Sequence, residues 1–135
     1  MNNNIEKILG IISPKSIVIG DKLPIEDVIK NYHQIEDVRS AAFYAFGQSK
    51  ITNENVVLIT DGDYLSNTYT VLTEAWFQKT NLIILAIYKS IYDVKTNFLN
   101  RCTVQNMMLL ENDVDKFEKK IKQSLSIIGP KIYNI

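Results

Sequence analysis

The sequence is poor in the residues that carry most recognisable chemistry. Its 135 residues include one cysteine, one histidine, one tryptophan, three prolines and five glycines. A lone Cys102 cannot close an internal disulfide and has no Cys or His neighbour at metal-ligand spacing, so it reads as a small core residue. His33 is the only histidine, so any Ser-His-Asp or Cys-His arrangement has to include it. No Gly-x-Ser-x-Gly turn accompanies it, and it reads as a surface or structural residue. A surplus of one charge is lacking too, since 15 Lys+Arg balance 15 Asp+Glu. Binding nucleic acid needs a clustered basic excess; only Lys119, Lys120 and Lys122 cluster, beside Glu118. No apolar run approaches the ~18 residues of a membrane span. The start, MNNNIEKILG, has neither the basic opening nor the apolar stretch of a signal peptide. The expectation is a cytoplasmic chain that meets no nucleic acid and no membrane. The phosphate-binding patterns G-x-x-x-x-G-K-[ST] and G-x-G-x-x-G are absent as well.

What is present is globular. Apolar residues make up 46% and charged residues 22%, and with no linker, repeat or low-complexity tract the whole of 1–135 reads as one domain. The apolar pattern switches between two periods. Ile5, Ile8, Leu9 and Ile12 stand at helical spacing, followed by a short apolar strand, Ser16 to Gly20. Pro24 suits the first turn of a short helix reaching Lys30. Val38, Ala41, Ala42, Ala45 and Phe46 form a narrow small-residue face of a helix containing Gly47. Asn55 to Thr60 and Leu82 to Tyr88 are continuous apolar runs, as in central parallel strands covered on both faces. Between them Leu65, Tyr69, Leu72 and Trp76 recur at helical spacing, with Ser66 or Asn67 as cap. Val114, Phe117, Ile121, Leu125 and Ile128 mark an amphipathic helix stopped by Gly129-Pro130, before a last strand, Lys131 to Ile135. Strands alternating with helices predict an α/β three-layer sandwich, its sheet mostly parallel and its helices on both faces.

In an open parallel sheet ligands lie at the carboxyl ends of the strands, so the loops after Gly20, Thr60 and Tyr88 are the places to look. Asp61-Gly62-Asp63 is the most suggestive, because two carboxylates beside a helix start can hold a cation or polar cofactor; the same residues make an ordinary turn and cap. Asp21, Asp61 and Lys89 also fit a phospho-receiver pattern, with one acid where the first strand should offer two.

Taken in order, these segments resemble the pyrimidine-binding domain of thiamine-diphosphate-dependent 2-oxo-acid enzymes. The matching pieces are Ser40-Ala41-Ala42-Phe43-Tyr44-Ala45-Phe46-Gly47-Gln48-Ser49-Lys50, Val56 to Thr60, Gly62 to Asn67, Leu72-Thr73-Glu74-Ala75, Leu82 to Leu85 and the terminal Gly129-Pro130 strand. Asp37-Val38-Arg39-Ser40-Ala41-Ala42-Phe43 is similar to the Asp-Glu-Arg-Ser-Ala-Ala-Phe pattern of the menaquinone-pathway synthase. The resemblance implies either a subunit of a split decarboxylase or carboligase, inactive alone, or a degenerate relative kept for association. Thiamine diphosphate with Mg²⁺ would be held only with a diphosphate-domain partner, and the chain would form a homodimer, associate with that partner, or both. It places Val38, Gly62, Asp63, Tyr64 and Asn67 against the cofactor and Asp21 toward substrate, with Ala41, Ala45, Tyr69 and Trp76 at or near the subunit interface. The family's tautomer-directing glutamate, nine residues before the helix glycine, is Val38 here, and its Gly-Pro-Gly loop is Gly62-Asp63-Tyr64. Two other readings stand beside this one: the related diphosphate-binding domain, whose Gly-Asp-Gly resembles Asp61-Gly62-Asp63, and a non-catalytic flavodoxin-like signalling or small-ligand module.

Overall fold

The computed structural model describes residues 2–25, 28–89, 97–109 and 114–135. Six strands form one sheet: β1 (Ser16–Gly20), β2 (His33–Ile35), β3 (Val56–Asp61), β4 (Leu82–Ile87), β5 (Gln105–Met108) and β6 (Lys131–Asn134). Their order is β2-β1-β3-β4-β6-β5 and every neighbouring pair is parallel. Parallel strands need crossovers, and the helices α1 (Asn2–Ile12), α2 (Val38–Thr52), α3 (Tyr69–Gln78) and α4 (Val114–Leu125) cover the sheet between them.

Strand alternation sorts the core into two layers. Val56, Leu58, Leu82, Ile84 and Ala86 point to the face covered by α2, α3 and a 3₁₀ helix (Asn97–Cys102), where they meet Ala41, Ala42, Ala45, Leu72 and Cys102. Val57, Ile59, Ile83 and Leu85 point the other way, to Ile5, Ile8, Leu23, Ile29 and Ile121. β3 and β4 are buried on both faces, which is why Val56 to Ile59 and Leu82 to Ile87 are apolar without interruption. The α2 contact residues are small because the helix lies close on the sheet: a Cβ at Gly20 would stand 3.3 Å from Val38 Cγ2 and 3.5 Å from Ala41 Cβ.

The predicted three-layer architecture is present, and four local expectations need correction. Pro24 to Lys30 is no helix among its described residues: Ile25 N–H donates to Leu23 O at 2.9 Å around Pro24, whose ring fixes φ as a tight turn requires, and Val28 N–H donates to Ile25 O. The third helix starts differently from the Ser66 or Asn67 cap. A 3₁₀ helix, Gly62–Thr68, comes first, capped by Asp61 Oδ1 accepting from Asp63 N–H at 2.9 Å, and α3 follows without a side-chain cap. The α4 helix ends at Leu125, leaving Ile128 exposed beyond it. Ala41 and Ala45 are wholly buried under the sheet and so offer nothing to a subunit interface, whereas Tyr69 and Trp76 are exposed.

Gly129 is conformationally required. Its φ is +133°, and a Cβ there would lie 2.5 Å from Val104 Cγ1. Gly129→Ala combines backbone strain with a clash, and a loss of about 2 kcal/mol is expected in urea unfolding. A loss under about 0.5 kcal/mol would mean that neither constraint is felt.

Candidate functional site

A cleft location follows from the crossovers. After β1 the chain runs to the α1/α4 face, burying Leu23, Ile25 and Ile29 there, while after β3 it runs to the α2/α3 face through Leu65 and α3. Neighbouring parallel strands whose connections leave to opposite faces open a crevice at their carboxyl ends. Here it lies between Gly20-Asp21 and Asp61-Gly62, with the start of α2 on one side.

The sequence-derived site residues distribute around it as follows. Asp21 follows β1, half-buried and in the left-handed region (φ +64°), its N–H donating to Ile35 O at 3.1 Å. Val38 opens α2 and is 4% exposed, packed against Gly20. Gly62, Asp63 and Tyr64 form the first turn of the 3₁₀ helix, and Asn67 lies near its far end, half-buried. Tyr64 is 45% exposed. The ring that fills the space over Gly62 belongs to Tyr88, a residue to which sequence reasoning gave no role. A Cβ at Gly62 would fall 2.2 Å from Tyr88 Cε1 and 2.4 Å from its Cζ. Tyr88 follows β4, whose last residue Ile87 pairs with Asp61, so strand register brings the ring over the loop. Burial, with the charges of Asp63 and Asp61 beside it, pushes its phenol up to about 12.

The amino end of α2 is closed by its own side chain. Asp37 Oδ2 accepts from Ser40 N–H at 3.1 Å and from Ser40 Oγ at 2.7 Å, and these bonds lower the Asp37 carboxyl below its ordinary value. Glu36, the nearest acid to Val38 upstream, is exposed and pairs with Lys22 at 3.5 Å. The wall of the crevice at Val38 is therefore apolar, and no carboxylate of this segment is placed to direct a proton on a heterocycle. Among the described residues no three His, Cys, Asp or Glu side chains gather at metal-binding spacing. The described residues do not supply the acid–base half or the diphosphate–metal half of a thiamine-diphosphate site.

The fold is that of an α/β domain with a switch-point crevice, and solved structures share it. The chain superposes over 98% of its length on benzoylformate decarboxylase from Polynucleobacter necessarius, at a TM-score of 0.74 and 17% identity. It superposes equally, at a TM-score of 0.74 and 13% identity, on the thiamine diphosphate-dependent 4-hydroxybenzoylformate decarboxylase of Rhodococcus jostii RHA1. In each case it spans 29% of the other chain. In sequence, 56 residues are 43% identical to the 2-succinyl-5-enolpyruvyl-6-hydroxy-3-cyclohexene-1-carboxylate synthase of Bacillus pumilus, a match over 41% of this chain and 10% of that protein. No family model matches the chain. The resemblance to a pyrimidine-binding domain seen in the sequence is thus met by the fold of thiamine-diphosphate-enzyme domains.

Proposed function

We propose that the chain, as a single domain of residues 1–135, is a pyrimidine-domain-like subunit of a split, thiamine-diphosphate-dependent 2-oxo-acid decarboxylase or carboligase. It acts only with a chain that supplies the diphosphate and Mg²⁺ half-site. The observation that carries this reading is that nearly the whole chain superposes on less than a third of each decarboxylase, as one domain of such an enzyme would. In this reading Val38, Gly62, Asp63, Tyr64 and Asn67 shape the cofactor side of the crevice and Asp21 faces substrate. The setting is cytoplasmic, and the exposed aromatic rings of α2 and α3, Phe43, Tyr69, Trp76 and Phe77 among them, form the face on which a second subunit packs.

A specific observation favours a second reading. Val38 is apolar and buried where the resemblance expects a carboxylate, as in a relative kept for association after its chemistry is lost. One experiment separates the two. The chain alone is expected to show no heat on titration with thiamine diphosphate and Mg²⁺, because both half-sites are incomplete. Mixing it with a chain from an adjacent reading frame that carries Gly-Asp-Gly and Asn-Asn motifs restores binding if the split-enzyme reading holds, and Val38→Glu then changes the turnover rate. Micromolar binding by the chain alone overturns the domain assignment, and no binding in either sample leaves the association role. Sedimentation of the same samples tests whether subunits pair.

A further inference from the structure

We infer that the solvent-facing side of α2 is a self-pairing surface, on which a second copy of this chain lays its own α2 antiparallel about a two-fold axis at Gly47. The side of α2 turned to the sheet is made by Val38, Ala41, Ala42, Ala45 and Ser49. With about 3.6 residues per turn, Gly47 stands at the centre of the opposite side. One turn to either side of it are Phe43, Tyr44, Lys50 and Ile51, all exposed, with Phe43 46% and Ile51 86% in solvent. A glycine inside a helix is a poorer choice than any residue but proline, and nothing within the chain calls for this one. Its φ is not positive, and a Cβ there would meet nothing within 4 Å. Gly10 on α1 is equally open, but Glu6, Lys7 and Ser13 surround it, as on a solvated face. Around Gly47 the neighbours are large and apolar, so its bare backbone is a socket between walls.

One wall is already fixed. The Tyr44 hydroxyl accepts from Gln48 Nε2 at 3.2 Å and its ring meets His33 edge-on at a centroid distance of 5.3 Å, so little side-chain freedom is left to lose on contact. A two-fold contact is isologous: what residue i does to residue j, j does to i. With Gly47 on Gly47, Ile51 of each copy comes level with Phe43 and Tyr44 of the other, and the Lys50 stem and ammonium reach the same rings. Charge selects both the orientation and the occupant. Arg39 lies near the amino end of α2 and Glu54 just past its carboxyl end. Glu54 meets Lys15 at 3.9 Å between exposed side chains, a contact that leaves its carboxylate available. Antiparallel copies set Arg39 beside Glu54 twice and bring helix ends of opposite polarity together. Parallel copies would set Arg39 on Arg39 and Lys50 on Lys50. A single helix pair buries less than the roughly 800 Å² per partner of a standard interface, so the pairing is of micromolar strength.

The pairing rests on the subunit face named above and specifies its occupant; it needs no cofactor, so its test contains no thiamine diphosphate. The full chain alone is followed by sedimentation velocity at low ionic strength. A monomer–dimer equilibrium with a dissociation constant of about 100 µM or tighter is expected. Gly47→Gln sets a long polar side chain on the axis and should raise that constant at least about tenfold, while the urea midpoint holds or rises because a better helix former enters open space. Arg39→Glu and Glu54→Arg should each weaken pairing about threefold or more, since each acts twice in a two-fold contact. Both exchanges in one chain should restore it to within about twofold, because the pairs re-form between copies with their signs reversed. A monomer at about 300 µM, dimers undiminished by Gly47→Gln, or no restoration by the double exchange overturns the inference. So does a chain that is monomeric alone and pairs only with a diphosphate-domain chain, a result that would support the cofactor reading instead. Self-association intact in a chain that binds no thiamine diphosphate in the mixed sample would sink the cofactor reading and uphold the pairing.

Discussion

Replacing Lys131 with methionine is expected to stabilise the folded chain by about 2 kcal/mol near pH 7 and to give no gain near pH 10. Lys131 opens β6 and is wholly buried, with Nζ donating only to Gly129 O at 2.9 Å. No carboxylate pairs with it among the described residues. Burial without an anion disfavours the ammonium and lowers its pKa from 10.5 to about 8. The unfolded chain thus holds this proton more tightly than the folded one. Between those two values the unfolded state binds more protons, so stability rises with pH through that window, by up to roughly 3 kcal/mol. Methionine keeps the length of the side chain, loses one hydrogen bond worth about 1 kcal/mol, and removes the charged form altogether. The tyrosines set the upper limit. Burial raises both Tyr88 and Tyr133 from 10.0 to about 12, so their contribution is complete below pH 10 and is lost as pH climbs toward 12. Urea midpoints across pH should therefore peak near pH 10, and Lys131→Met should lack the rising limb. A flat wild-type profile between pH 8 and 10, or a variant less stable at neutral pH, would refute the account.

Much of the fold could be read along the chain because its central strands answer to both faces. Val56 to Ile59 and Leu82 to Ile87 are covered above and below, so every position in these runs is apolar and the run is visible without any knowledge of neighbours. The two strands that escaped detection, His33 to Ile35 and Gln105 to Met108, are the edges of the sheet. Edge strands are short and partly solvated, and neither has an apolar run or a clean alternation to betray it. The helix after β3 was visible, but its start was not, because Asp61 and Ser66 are equally good caps on paper. What decides is the 3₁₀ turn that Asp61 holds next to the sheet. The site was legible only where it is local. Asp61-Gly62-Asp63 announces a loop at a strand end, whereas Tyr88 is 26 residues past Gly62 in number and reaches it only through the register of β3 on β4. Lys131 likewise looks like an ordinary polar residue closing a loop until the sheet is assembled around it.

The contact of Tyr88 with Gly62 makes a long-range coupling testable as a pair. Gly62 has no positive φ, so alanine is allowed there by its backbone, and the nearest obstacle is the tyrosine ring. Gly62→Ala puts a methyl within 2.5 Å of three ring carbons, and relief requires the ring, which is held among Leu65, Leu99 and Cys102, to leave its place. Overpacking of this kind costs about 3 kcal/mol. Tyr88→Ala alone empties the same space and loses about 3–4 kcal/mol from the core. In the double variant the methyl enters room the ring has vacated, and Gly→Ala at a permitted backbone geometry restricts the unfolded chain, adding about 0.5 kcal/mol of stability. The alanine at 62 should thus be strongly destabilising beside tyrosine and mildly stabilising beside alanine, a coupling of about 3 kcal/mol, which is large for two sites so far apart in the chain. Urea unfolding of the four chains measures it. Additive losses in the double variant would show that Gly62 is needed for a reason other than the ring above it.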